Sequence, residues 1–173
     1  MDINFAEDTK VVNVMAPVDA SGSALTTEWV AMKTGTKASF FISLGVLNAS
    51  ASAMAVTLDV ANDASGTKSS GSVSSQDLPL THYYKSGALP SDTFTKTSVS
   101  SSTWTIAHND DGRILVVDVD AADMGTFSSS STTYNADYVR LKFPDPSASA
   151  LLGVMCIITG NRYKSASPPT AIT

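Results

Sequence analysis

Apolar residues recur at every second position in several separate stretches, and nowhere at the three-to-four spacing of a long amphipathic helix. Met54, Val56, Leu58 and Val60 alternate with Ala55, Thr57 and Asp59. Val139, Leu141 and Phe143 alternate with Tyr138, Arg140 and Lys142. A period of two sends successive side chains to opposite faces of a strand, so both stretches predict half-buried strands with their polar set outward. Composition argues against helix as well. The chain has 26 serines and 19 threonines but only two glutamates, Glu7 and Glu28. Helix surfaces are built largely from Glu, Lys, Gln and Arg, whereas Ser and Thr compete for backbone hydrogen bonds and suit strands, turns and loops. The chain reads as all-β.

Further strands are predicted over 11–17 (stopped by Pro17), 28–32, 37–47, 80–84, 94–99, 103–107, 113–120 and 151–159. Ser39 to Leu44 is too continuously apolar for a one-sided strand. It fits a strand covered on both faces or at the centre of a sheet. Asp19-Ala20-Ser21-Gly22 and Asn109-Asp110-Asp111-Gly112 read as turns, and Ala121 to Met124 as one helical turn. The Ser/Thr-rich stretches 62–75 and 128–133 read as exposed loops. Short strands at regular spacing predict a β-sandwich or jelly-roll-like single domain over 11–164. A polar flexible arm over 1–10 and a flexible tail over 165–173 flank it. The expected core includes Val56, Leu58, Leu115, Val117, Val139, Leu141, Val154 and Ile157.

With 16 acidic residues against 11 basic ones and a net charge of -5, no nucleic-acid partner is expected. No apolar run approaches the ~20 residues that span a bilayer, so no membrane partner is expected either. The acidic start MDINFAEDTK lacks the basic and then apolar stretches of a signal peptide. The expectation is synthesis in a cytosol and residence there or in a particle assembled there.

Signals for chemistry are sparse. His82 and His108 stand in different segments, and neither has an evident nucleophile and orienting acid. Cys156 lies in an apolar strand with nothing basic beside it, which reads as a small buried hydrophobe. Asp118, Asp120 and Asp123 misplace the third acid and the twelfth-position glutamate of a calcium loop. Asn48-Ala49-Ser50 matches a glycosylation sequon by chance. The expectation is no catalytic, cofactor-binding or metal residues, no cofactor, and no enzyme activity. Trp29, Phe40, Phe41, Trp104 and Phe143 read as core, and Tyr83, Tyr84 and Tyr134 as candidates for an exposed surface.

Three stretches carry a resemblance. They are Ala16-Pro17-Val18-Asp19-Ala20-Ser21-Gly22 running on through Glu28-Trp29-Val30 to Lys33; Val117-Asp118-Val119-Asp120-Ala121-Ala122-Asp123-Met124; and Leu152 to Ile158, closing on Arg162-Tyr163. In this order they resemble the small head decoration, or cement, proteins of tailed bacteriophages. The longer Ser/Thr loops at 62–75 and 128–133 depart from that pattern. The resemblance implies an all-β module on the outside of the capsid, assembled in the host cytoplasm. Its implied partners are the major capsid protein and further copies of itself, as a dimer or trimer. Two rival readings are a carbohydrate- or host-surface-binding β-sandwich of a virion, using Tyr83, Tyr84, Trp104 or Tyr134 as a stacking platform, and a hydrolase.

Overall fold

The computed structural model describes residues 9–33, 35–64, 76–129 and 132–160. The strands run in chain order as β1 (Thr9–Asp19), β2 (Leu25–Thr26), β3 (Val30–Ala31), β4 (Lys37–Leu47), β5 (Met54–Ala61), β6 (Gln76–Asp77) and β7 (His82–Ser86). They continue as β8 (Phe94–Ser98), β9 (Thr103–Ile106), β10 (Ile114–Asp120), β11 (Thr126–Ser129), β12 (Thr132–Asn135), β13 (Tyr138–Phe143) and β14 (Ala150–Thr159). One 3-10 turn spans His108–Asp110, and one helical turn spans Ala121–Met124.

The first sheet has the order β1-β14-β4-β10-β7-β8. The second has β2 and β3 on one side of β13, β5 on the other, and β6 and β9 beyond β5. Its edge next to β13 is tied across to the first sheet, where the Glu28 amide donates to the Val14 carbonyl at 3.0 Å. Set beside one another, the sheets place consecutive strands in matching positions: β1 with β2 and β3, β14 with β13, β4 with β5, and β10 with β9. That is the order produced by the paired Greek keys of a jelly roll. The β7-β8 hairpin widens the first sheet, and β11-β12 forms a separate two-stranded ribbon.

Alternation fills the space between the sheets. Ala38, Phe40, Ile42 and Leu44 of β4 meet Leu115, Val117 and Val119 of β10 and Val56, Leu58, Val139 and Leu141 of the second sheet in one buried cluster. Trp104 and Phe143 belong to the same cluster, and Trp29 is buried outside it. The helical turn closes one end. Asp120 caps it by accepting from the Ala122 amide at 3.0 Å, and Met124 plugs the core.

Several local expectations are corrected. Strand β1 does not stop at Pro17 but runs to Asp19, with register irregularities between Asn13 and Met15 and between Met15 and Val18. Proline is admitted on an edge strand at a bulge, where its missing N–H breaks no ladder. The same strand takes in Thr9 and Lys10, which the sequence alone places in the arm. The segment 28–32 contributes only Val30–Ala31 as strand. Ser128, Ser129, Thr132 and Thr133 belong to a paired ribbon rather than a loop. Ile157 is half-exposed, not core, because Val154, Cys156 and Ile158 point inward and parity sends Ile157 to the other face. Phe41 is likewise on the outer face, one position out of phase with buried Phe40. Residues 1–8, most of the 62–75 stretch, Arg162-Tyr163 and the 165–173 tail lie outside the described residues.

Asp19 fastens the two ends of this wrapping. Its carboxylate accepts from Ser149 Oγ at 2.7 Å, the Ala150 amide at 2.9 Å and the Ser21 amide at 3.0 Å. These donors, Ser149 foremost, hold its pKa below the ordinary 3.8. A carboxyl with a depressed folded pKa adds stability above its unfolded pKa and loses it as pH falls through the folded one. Asp19→Ala should therefore lower the melting midpoint near neutral pH, and the gap should narrow as pH falls below the ordinary carboxyl value of 3.8. Melting curves of both proteins across that range check this, and a gap that persists at low pH contradicts it.

Candidate functional site

The two outward faces of the sandwich differ in character. On the second sheet, β13 and β5 expose a charged ladder. The Arg140 guanidinium lies over the Trp29 ring at 4.2 Å and bonds Asp59 Oδ2 through Nε and Nη2, both at 3.1 Å. Lys142 reaches Asp77 at 3.2 Å and Asp59 at 3.7 Å. Lys33 pairs with Asp137 at 3.4 Å and sits over the Tyr138 ring. Alternation places Asp59 outward, but it is 0% exposed, with Arg140 and Lys142 brought against it. No periodicity could show that burial, because it comes from neighbours brought up by β13.

The outward face of the first sheet is apolar at its centre. Antiparallel sheets usually turn polar side chains to water on such a face. Here one register row crosses the sheet as Asn13 of β1, Met155 of β14, Phe41 of β4, Val116 of β10, Tyr84 of β7 and Lys96 of β8, polar at its two edges and apolar between them. Beside it run Val11, Ile157, Ser39 and Asp118 on one flank, and Ser43 with Ile114 on the other. Met155 is 52% exposed, Val11 51%, Leu151 42% and Ile114 41%. Between Met15 and Pro17 on β1 and Ile114 on β10 lies a groove of about 330 Å³, floored by Ser43, Gly153 and Phe41. Pro17 lies close over Gly153: a Cβ there would stand 3.2–3.3 Å from it, so a larger residue would press Pro17 outward by a few tenths of an ångström. Charged side chains on β1, β14, β4 and β10 are confined to the strand ends. Lys37 holds Asp118 at 2.8 Å, Asp120 caps the helical turn, and Asp19 sits at the far end.

The residues singled out in the sequence are dispersed. His82 packs edge-on against Tyr84, with Nδ1 2.9 Å from Thr81 Oγ1. His108 is exposed at the 3-10 turn, while nearby Asp110 is committed to Lys85 at 2.8 Å and the Ala107 amide at 3.1 Å. Cys156 is buried, and desolvation pushes its thiol up to about 12, so it is an inert core residue. Asp118, Asp120 and Asp123 line a second groove of about 290 Å³ with Leu58 and Leu78, and no metal-binding cluster occurs among the described residues. Asn48 closes an Asx turn onto the Ser50 amide at 2.8 Å. Among the described residues no helix is long and apolar enough to cross a membrane.

Of the four rings considered for a stacking platform, Tyr83 and Trp104 are buried against each other at 6.3 Å between ring centroids, and Tyr84 and Tyr134 are half-exposed. The apolar outer face was not anticipated. Its signal was the runs Phe40-Phe41-Ile42 and Leu151 to Ile158, which carry large apolar side chains on both parities.

No family model matches this chain, and no curated protein matches it. The fold is weakly similar to the VP2 subviral particle of infectious bursal disease virus. That likeness has 6% identity and a TM-score of 0.22, covers 89% of this chain and 41% of the other, and carries no argument about function.

Proposed function

We propose that this protein is a structural virion component that attaches to the outer surface of a phage capsid and stabilises the shell. The observation that carries the reading is the apolar outer face of the first sheet. A soluble monomer seldom leaves so continuous an apolar sheet bare, and such a surface marks a contact covered in the working assembly. The resemblance to decoration proteins supplies the partner. Its motif residues fasten the jelly roll: Pro17 and Asp19 lock β1, Trp29 stacks under Arg140, and Asp120 caps the turn that buries Met124. An acidic chain suits the exterior, away from packaged DNA of the same sign.

Stabilisation follows from mass action. A protein that binds only the intact lattice shifts it away from disassembly, by about 2.7 kcal/mol per site at a hundredfold excess over Kd. DNA-filled heads should rupture at a higher temperature with this protein at saturating occupancy than without it. Equal rupture temperatures refute the cement role and leave a display or adhesion role.

A further inference from the structure

We infer that the apolar outer face of the first sheet is covered by a second copy of this chain, packed face to face about a two-fold axis. This rests on the reading above that the face is buried in the working assembly, and it commits to the occupant. Three observations argue for a copy.

The face carries a protrusion and a depression side by side. Met155 stands 52% exposed next to the 330 Å³ groove floored by Ser43 and Gly153. A two-fold operation brings the protrusion of each copy over the depression of the other, the reciprocal contact of an isologous interface. An unbranched thioether side chain adapts well to such a hollow.

Charge points the same way. Each copy carries a net charge of -5, so two copies repel wherever their acidic surfaces meet. The middle of this face holds no charge among the described residues. At one end Lys37 already neutralises Asp118. This is a surface on which two acidic chains can approach without opposing like charges.

The area approaches what a dimer needs. Four strands about 4.8 Å apart and 7–10 residues long give about 500 Å² in plan, more with side-chain relief and the β7 flank. A standard interface buries about 800 Å² per partner. Sheets packed this way lie about 10 Å apart with strands roughly 30° from parallel. The dimer would stack four sheets, leaving both charged ladders and the loop ends free to meet the shell.

Sedimentation equilibrium of the full chain tests this, with Met155→Asp, which puts a charge at the centre, and Ser43→Trp, which fills the groove from an exposed site. Near-ultraviolet circular dichroism verifies that each variant is folded, and Thr105→Asp on the outside of the second sheet is the control. The expected result is twice the 18.0 kDa chain mass for wild type and control, and a single chain mass for both face variants. A monomeric wild type, or a dimer that survives both variants, overturns the inference. Head binding by the same proteins separates it from the parent reading. If wild type is monomeric and the face variants lose attachment, the shell is the occupant and only the dimer falls. If neither mass nor attachment responds, both readings fall.

Discussion

Arg140→Met is expected to destabilise the protein by about 3 kcal/mol, the low end of the range for removing one partner of a buried ion pair. Asp59 has no exposed surface, and among the described residues its Oδ1 finds no hydrogen-bond partner, so the carboxylate depends on what reaches Oδ2. Arg140 supplies two contacts there, and among the described residues Lys142 alone remains without it, at 3.7 Å. The guanidinium also loses its place over Trp29, a stack worth about 0.5–1 kcal/mol where partly exposed. The low end applies because Arg140 is 24% exposed and water screens part of the attraction. For a chain of this size the melting midpoint should fall by about 6–12 °C. Adding Asp59→Asn should restore much of the loss, since the orphaned charge is then gone. Urea titration of the two single variants and the double variant measures this, and additive losses would contradict it.

Phe40→Ala should cost about 3–5 kcal/mol, whereas Phe41→Ala should cost under about 1 kcal/mol. The two rings are neighbours in sequence on opposite faces of β4. Phe40 is 0% exposed between Cys156 and Val117 of the flanking strands. Truncating it opens a cavity in the one core cluster. Phe41 stands in the outward row with Met155 and Val116, where its loss should weaken association rather than folding. Denaturant midpoints at low protein concentration distinguish the two effects, and equal destabilisation would reject this assignment of faces.

The strands themselves were legible wherever one parity was apolar and the other polar. Met54 to Val60 and Tyr138 to Phe143 fold as their alternation predicts. Lys37 to Leu47 has the predicted bounds and lies at the interior of a sheet. Legibility failed where both parities were apolar. In Leu151 to Ile158 the pattern alone cannot choose between Cys156 and Ile157 as the inward residue. The choice is made by pairing with β4, which sets Cys156 beside Phe40. The same ambiguity hid the candidate surface: a continuous apolar run implies two covered faces, and the described residues of one chain cover only one. Asp59 and Tyr83 failed for a different reason. Their burial depends on Arg140 and Trp104, which are distant in sequence and reach them only through strand pairing.

Strand β1 begins where β14 ends, with Thr9 opposite Thr159. Cα atoms paired in this way lie about 4.5–5.5 Å apart, little more than the step between successive residues. The folded unit thus enters and leaves through one doorway. A host protein could carry it as an insertion in a surface loop without spreading that loop's two stems. A short linker across the doorway would allow new ends to be cut elsewhere, at an exposed turn such as Asp111-Gly112, with the order of strands in both sheets preserved.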